Sequence, residues 1–304
     1  MRVGVVDIGT NSVRLLVAEV TGREIKELER DLRTTRLGEG PDGLLRPEAM
    51  ARTVRAVGEL AARMRAAGAA RAVLAGTAAV REAANREEFA GLVRKETGLA
   101  LRVLTGEEEA LLGYRGAVWG LSGRISGPVV TMDIGGGSTE FAWEDGEGRL
   151  RCLSLPVGAV RMTERSSTMN DVRELLKPAV DALRESGQGA PRKLVGVGGT
   201  VTTLAAMAQG LRRYDPGRVH GYPLHVSEVE RLLAALQATL LEERRRMPGL
   251  QPERADIIPA GAMIALAAMR GLGRAVMYVC QTDILHGLAL AVARDVETKS
   301  LARD

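Results

Sequence analysis

The sequence predicts an α/β protein built from two related halves, and three observations carry that reading. Apolar runs of strand length alternate with amphipathic runs of helix length along the chain. A strand–turn–strand unit containing DIGTNS (residues 7–12) returns as DIGGGS (residues 133–138), with four identities in six positions. Both copies follow an apolar strand, which favours a diverged internal duplication over chance likeness of two turns. The length of 304 residues suits two domains at roughly 150 residues each.

The elements follow in order. Residues 3–6 are an apolar strand, Gly9-Thr10-Asn11-Ser12 carries turn chemistry, and residues 13–20 are apolar again. Residues 25–37 are more charged and suit an edge strand. The spacing predicts a helix over 47–67: Pro47 fits its first position, Met50, Val54, Val57, Leu60 and Met64 fall at 3–4 spacing, and Gly68 closes it. Residues 71–75 read as a strand, 86–96 as a helix, 101–104 as a strand and 107–119 as a helix. A glycine- and serine-containing stretch at 120–127 marks the expected boundary, giving domains 1–124 and 125–304.

The pattern then restarts. Residues 128–132 are a strand, Gly135-Gly136-Gly137-Ser138 a turn, and 139–143 a second strand. Further strands are expected at 150–155, 194–197 and 275–279. Helices are expected at 171–185, 201–209, 228–245, 260–270 and 283–296, with Ser227 and Glu230 forming a capping box for the third. The last helix, extended to about 283–304, could pack back on the first lobe.

Composition narrows the function. Two cysteines, Cys152 and Cys280, make no disulfide framework, so a reducing, cytoplasmic setting is expected. Three histidines form no zinc-spaced cluster. The longest nearly apolar run is 13 residues (257–269), short for a membrane span, and Asp7 interrupts the N-terminal apolar stretch, so no signal peptide is expected. Lys plus Arg (42) exceeds Asp plus Glu (38) by 4, which permits anionic ligands. Only 3% of residues are aromatic, few platforms for stacking bases, so nucleic acid is not the expected partner.

Three glycine-rich turns follow apolar strands: Gly9–Ser12, Gly135–Ser138, and Gly196-Val197-Gly198-Gly199-Thr200. Such turns offer successive backbone N–H groups to phosphate oxygens. Asp7 and Asp133 precede the first two, and a carboxylate beside a phosphate cradle is what Mg²⁺ needs. No Gly-Lys-Ser/Thr follows any of them, and the first two lead into strands. Walker and dinucleotide-binding loops are therefore disfavoured.

Glu107, Glu108 and Glu109 open a helix after Thr105-Gly106. Thr105 and Glu108 make a T-x-x-E capping box, a structural role. A carboxylate there could also orient and deprotonate a water, and spacing alone leaves both roles open. Glu140 alternates with Phe141 along its strand, facing either a site or solvent. Arg81, in GTAAVREAAN, follows a strand end and could clamp phosphate. The run Arg244-Arg245-Arg246 at a helix end reads as a solvated terminus.

Together these segments resemble the exopolyphosphatase / guanosine pentaphosphate phosphohydrolase (Ppx/GppA) family of the actin, sugar kinase and Hsp70 (ASKHA) superfamily. The resemblance rests on DIGTNSVRLL, GTAAVREAAN, TGEEEALLGYRG, DIGGGSTE, LPVGAVRMTE, GVGGTVTTLAA, VHG and ERADIIPAG, collinear from about residue 3 to 290. It implies two ribonuclease H-like (actin-like ATPase) lobes with an interdomain cleft, and hydrolysis of a terminal phosphoanhydride. By that resemblance Asp7 and Asp133 would hold Mg²⁺ (or Mn²⁺), directly or through water. Glu108 would be the general base and Glu140 would position water or metal. Gly9, Thr10, Asn11, Ser12, Arg81, Gly135, Gly136, Gly137, Ser138, Gly198, Gly199 and Thr200 would bind phosphate. Polyphosphate is the expected substrate and a homodimer the expected assembly.

The alternatives are a guanosine pentaphosphate 5′-phosphohydrolase, a non-catalytic sensor of alarmone or polyphosphate, and a sugar or acetate kinase of the same superfamily. Two departures stand out. The additional C-terminal domains of longer family members do not follow, and Cys280–Gly287 replaces the family's glycine-leucine-arginine-glutamate stretch.

Overall fold

The first strand–turn–strand is β1 (Arg2–Ile8) and β2 (Ser12–Thr21), followed by β3 (Glu24–Thr34). The chain continues through α1 (Pro47–Ala66), β4 (Arg71–Gly76), α2 (Ala78–Glu82), α3 (Arg86–Thr97), β5 (Leu101–Val103) and α4 (Gly106–Gly120). The repeat is β6 (Val129–Ile134), β7 (Thr139–Glu144) and β8 (Leu150–Leu155), then α5 (Ala159–Glu164) and α6 (Met169–Glu185). Next come β9 (Lys193–Val197), α7 (Gly198–Ala208), α8 (Pro216–Val219), β10 (Pro223–His225), α9 (Val226–Ala238) and α10 (Leu241–Arg244). The chain closes with α11 (Ile258–Gly271), β11 (Val276–Val279) and α12 (Ile284–Leu301). This computed structural model describes residues 1–40, 43–186 and 192–301, so residues 302–304 of the expected last helix lie outside the described residues.

The chain forms two units. Unit 1 is Met1–Gly116 with the chain from Ile284, and unit 2 is Ala117–Asp283. The division falls within α4, upstream of the glycine–serine stretch at which the sequence suggested it.

Unit 1 holds a five-stranded sheet in the order β3-β2-β1-β4-β5. β1 is antiparallel to β2 and parallel to β4, which is parallel to β5. One face buries Val6, Ile8, Val13, Leu15 and Val17 against Val57, Leu60 and Met64 of α1 and Phe89 of α3. The other buries Val3, Val5, Leu16 and Ala18 against Leu112 of α4 and Leu285, Leu288 and Ala289 of α12. A side chain at Gly287 would collide with the Leu112 carbonyl, so glycine there lets these two helices meet.

Unit 2 repeats the scheme. Its sheet runs β10-β11-β9-β6-β7-β8, so β8-β7-β6-β9-β11 retraces β3-β2-β1-β4-β5 with the same strand senses at each matching pair. The turns match in detail as well: Gly9 N donates to Ser12 O at 3.0 Å and Gly135 N to Ser138 O at 3.0 Å. Each unit is therefore an α/β, ribonuclease H-like (actin-like) lobe, and the repeated order is that of a duplication. One face of this sheet buries Met132, Ile134, Phe141 and Trp143 against α6, α7, α9 and α11. Val195 and Val197 line the other with Ala117, Leu121 and Cys280.

Several elements differ from the sequence reading, the short α8 and β10 among them. The helix expected over 228–245 is α9 and α10, because Thr239 and Leu240 take extended backbone angles. Its capping box uses His225 and Glu228, two residues early, while Glu230 pairs instead with Arg270 at 2.8 Å. α7 starts at Gly198, so the third glycine turn is a helix N-terminus. The short α2 and α5 have too few turns to show a periodicity.

Candidate active site

In unit 1 the parallel strands β1, β4 and β5 end together, since Ile8 pairs with Gly76 and Gly76 with Val103. Each strand end opens a chemically useful segment, as is usual at the carboxyl edge of an open α/β sheet. After β1 comes the Gly9–Ser12 turn, with Thr10, Asn11 and Ser12 buried. Residues 35–38 clamp it from outside: Thr35 N and Arg36 N donate to Asn11 O at 3.1 and 2.9 Å, and Gly38 N to Thr10 O at 2.9 Å. After β4 comes α2, carrying Arg81. After β5 comes α4, carrying Glu108 and Glu109.

The two glutamates have different surroundings. Glu108 Oε2 accepts from Thr105 N at 2.9 Å while Glu108 N donates to Thr105 Oγ1 at 3.1 Å, a complete capping box. Its other oxygen takes Arg102 Nη2 at 2.7 Å. The Thr105 amide first, and then the Arg102 guanidinium, hold this half-exposed carboxyl below the usual carboxylate range. Glu109 is better shielded, with 15% of its side chain exposed against 38% for Glu108. Its Oε2 accepts from Arg81 Nη1 at 2.8 Å, and the same Nη1 donates to Leu104 O at 3.2 Å. Arg81 and Glu109 thus form one charged pair beside the first turn, while Glu108 caps α4 and meets Arg102. The resemblance points to Glu108, and nothing in the helix spacing of Glu107-Glu108-Glu109 reports which arginine each one meets.

Asp7 lies on β1 directly across from Arg14 on β2. Arg14 Nε and Nη2 both donate to Asp7 Oδ2, at 3.0 and 2.5 Å. In unit 2 the matching cross-strand pair is Asp133 with Glu140. The duplicated hairpin therefore carries opposite charges face to face in one unit and two carboxylates in the other. Directly opposite residues share a sheet face, so Asp133 and Glu140 project to the same side. Glu140 is buried and accepts from Ser154 Oγ at 2.7 Å; Asp133 is half-buried.

The second turn is built against backbone. Ala159 N donates to Gly135 O at 2.9 Å, and Val160 N and Arg161 N to Gly136 O at 2.9 and 3.1 Å. Arg161 Nε donates to Gly137 O at 2.9 Å. A side chain at Gly158 would collide with Gly136, so LPVGAVRMTE fixes this turn by close approach. Ser138 is buried at its end, next to buried Thr139.

The third turn lies beside the second because Asp133 pairs with Val197 in parallel. Gly198 has φ +89°, and a Cβ there would strike Asp133 Oδ1. Thr200 is buried against Gly261 of α11. Around Gly199 an ideal Cβ would stand 2.5 Å from Cζ and Nη1 of Arg254, so that guanidinium lies on the N-terminal backbone of α7. Arg254, within ERADIIPAG, was missed in the sequence because the 3₁₀ turn that carries it has no periodic signal. Arg244, by contrast, is structural, donating to Ala255 O and Thr239 O at 2.9 Å each.

The divergent Cys280–Gly287 segment is largely interior. Cys280 N donates to Gly196 O at 2.8 Å, and burial pushes the Cys280 thiol up to about 11. His220 Nδ1 accepts from Gln281 N at 3.2 Å, leaving Nε2 to donate to Gly120 O at 2.9 Å. His286 is buried and contacts Glu27 Oε1 at 2.9 Å.

Among the described residues no group of three or more His, Cys, Asp or Glu side chains could hold a metal. Mg²⁺ does not need one, since it takes one or two carboxylates with water and substrate phosphates. The Asp133–Glu140 pair beside a phosphate-type turn fits that donor set. Asp7, forked by Arg14, fits a water-mediated role.

Comparisons with known proteins agree with this geometry. A family model described as "Ppx/GppA phosphatase family" matches residues 16–294. The chain is similar to exopolyphosphatase 2 of Mycobacterium tuberculosis, at 35% identity over 96% of this chain and 98% of that protein. It is also similar to exopolyphosphatase 1 of Mycobacterium leprae, at 32% over 95% and 89%. Among solved structures it resembles the Aquifex aeolicus Ppx/GppA family member, with TM-score 0.78, 29% identity and 97% and 98% coverage. An exopolyphosphatase from Cytophaga hutchinsonii shares the fold, with TM-score 0.86 at 24% identity over 96% and 97%.

Proposed function

The chain belongs to the Ppx/GppA phosphatase family, and from that premise we propose that it is a Mg²⁺-dependent exopolyphosphatase, removing terminal orthophosphate from inorganic polyphosphate. The phosphoanhydride-hydrolase class follows from the family and its exopolyphosphatase relatives. The observation that carries the finer reading is Arg254 lying on the N-terminus of α7, beside a second glycine turn and two carboxylates. That grouping suits an anion of high charge density.

Phosphoryl transfer asks for positioning and charge neutralisation more than covalent chemistry. In each unit the later N–H groups of the turn, Thr10–Ser12 in one and Gly136–Ser138 in the other, suit phosphate oxygens, since Gly9 N and Gly135 N close the turns themselves. Within unit 2, Arg254 and the N-terminal amides of α7 at Gly198–Thr200 offset phosphate charge; within unit 1, Arg81 does. Glu109, held by Arg81 at 2.8 Å, takes the proton of the attacking water, and Glu108 keeps its capping role. Asp133, with Glu140, would hold Mg²⁺, and Asp7 acts through Arg14 or an intervening water. When bound there, the ion would supply charge neutralisation to phosphate oxygens.

The test compares kcat/KM for long-chain polyphosphate and for guanosine pentaphosphate. A preference for polyphosphate is the expected outcome, and a strong preference for the nucleotide would overturn the substrate assignment. Tight binding of either without phosphate release would make the protein a sensor. Among the described residues no helix is long and apolar enough to cross a membrane. A cytoplasmic setting and a homodimer complete the proposal, the second checked by light scattering of the purified protein.

A further inference from the structure

Among the described residues of unit 1, besides Asp7 Oδ1, three buried side-chain oxygens make no protein hydrogen bond: Asn11 Oδ1, Thr35 Oγ1 and Thr53 Oγ1. The topology brings them to one place. The β2–β3 register pairs Ser12 with Thr34 and continues to set Asn11 opposite Thr35, whose N–H donates to Asn11 O at 3.1 Å. On the far side of Thr35, Arg52 Nε donates to Thr35 O at 2.8 Å, which fixes the second turn of α1 beside it. Thr53 is the next residue, on the buried stripe Met50, Thr53, Val57 and Leu60 that α1 turns to the sheet.

Their neighbours offer no partner. Asn11 Nδ2 is used on Ser12 Oγ at 3.1 Å, so Oδ1 is the amide's remaining group. Arg52 also binds Glu39 Oε1 at 2.7 Å. The Asn85 amide exchanges two bonds with the Leu45 backbone and donates a third to Met50 Sδ at 3.8 Å. Buried polar groups are as a rule satisfied by protein or by ordered water. The three oxygens comprise one pure acceptor and two hydroxyls, each able to donate or accept. A water donating to Asn11 Oδ1 and to one hydroxyl, and accepting from the other, satisfies all three with the three bonds typical of internal water. A cation is disfavoured, because no anionic group is among the three and the Arg52 guanidinium stands beside them.

We propose that one structural water is held by Asn11, Thr35 and Thr53 beneath the first phosphate turn, tying that turn to α1. Thr35 and Thr53 then act as positioning residues: they orient the Asn11 side chain, and with it the backbone N–H groups of Thr10–Ser12. The water stands on the oxygens alone, and only its effect on substrate rests on the phosphate reading of the turn.

High-resolution crystal structures of the wild type and of Thr53→Val and Thr53→Ser test it. The expected result is one solvent atom within hydrogen-bond distance of all three oxygens, absent in Thr53→Val and retained in Thr53→Ser. For polyphosphate hydrolysis, Thr53→Val should raise KM about five-fold with kcat nearly unchanged, the loss expected of one hydrogen bond, and Thr53→Ser should restore it. Thr35→Val serves as the second variant should Thr53→Val fold poorly. Direct hydrogen bonds among the three side chains, or a site with short metal-like contacts, would overturn the proposal. Absence of polyphosphatase activity would bear on the function of the chain and leave the crystallographic result to decide the water.

Discussion

The guanidinium of Arg81 donates to the carboxylate of Glu109 at 2.8 Å, one residue beyond the glutamate that caps α4. Neighbouring residues on a helix point about 100° apart, so only one of the two can share Arg81's surroundings. Glu109→Gln is expected to lower kcat for polyphosphate by roughly 10²–10⁴-fold, the usual contribution of a general base. Glu108→Gln keeps the capping box, which accepts glutamine, and should change kcat only slightly. Steady-state kinetics on both folded variants decide the matter, and the reverse pattern returns the base to Glu108.

Arg254 gives a probe that leaves the backbone alone. The three atoms nearest to a Cβ at Gly199 all belong to the flexible end of that side chain. Gly199→Ala should therefore fold normally while pushing the guanidinium off the start of α7. Arg254→Ala removes the same charge directly. Both are expected to raise KM for polyphosphate about ten-fold or more, the cost of one charged hydrogen-bonding partner. Equal melting temperatures with unequal KM would place the effect at the site; unchanged KM in both variants would remove Arg254 from it.

These two cases show what the sequence made legible. Asp7 with DIGTNS and Asp133 with DIGGGS announced the duplication, and the matching sheet orders and turn hydrogen bonds bear it out. The alternating apolar runs located every long helix and the strands of both sheets except the three-residue β10. What stayed hidden depended on contacts distant in sequence. Glu108 and Glu109 differ only in which arginine each meets, Arg102 or Arg81, and helix spacing cannot report that. Arg254 acquires its role from Gly199, 55 positions earlier in the chain. The break of α9 at Thr239 was missed because Leu240 and Leu241 continue an apolar pattern while remaining in part exposed.

Acid sensitivity has a local source at the β7–β8 turn. Asp145 Oδ1 accepts from Glu147 N and Arg149 N, each at 2.9 Å, and Oδ2 from the Arg149 and Arg151 guanidinium groups. The Arg149 amide foremost, then the Glu147 amide and the two arginines, holds this carboxyl far below its usual range. A depressed folded-state value means the contribution is fully present above the unfolded value near 3.9 and is lost as pH falls through the folded one. Asp145→Asn should melt below wild type at pH 7, with the gap narrowing steadily below pH 4. Calorimetric melting temperatures across that window check it, and a constant gap would assign the difference to packing alone.

The matched hairpins also separate two roles that sequence alone treats alike. Asp7 and Asp133 hold the same place in the repeat, yet Arg14 faces the first and Glu140 the second. A divalent ion is drawn to the pair carrying two negative charges and repelled by the guanidinium beside the other. Asp133→Asn and Glu140→Gln should therefore each raise the Mg²⁺ concentration for half-maximal phosphate release by about ten-fold or more, as losing a ligand or its close support does. Calorimetric titration of Mn²⁺ should show the same weakening without substrate present. Asp7→Asn should leave the metal requirement nearly as it is and instead raise KM, because Arg14 loses the carboxylate that fixes its fork. If Asp7→Asn weakens Mn²⁺ binding as much as Asp133→Asn does, the first hairpin ligates the ion directly and the division of roles drawn from Arg14 and Glu140 fails.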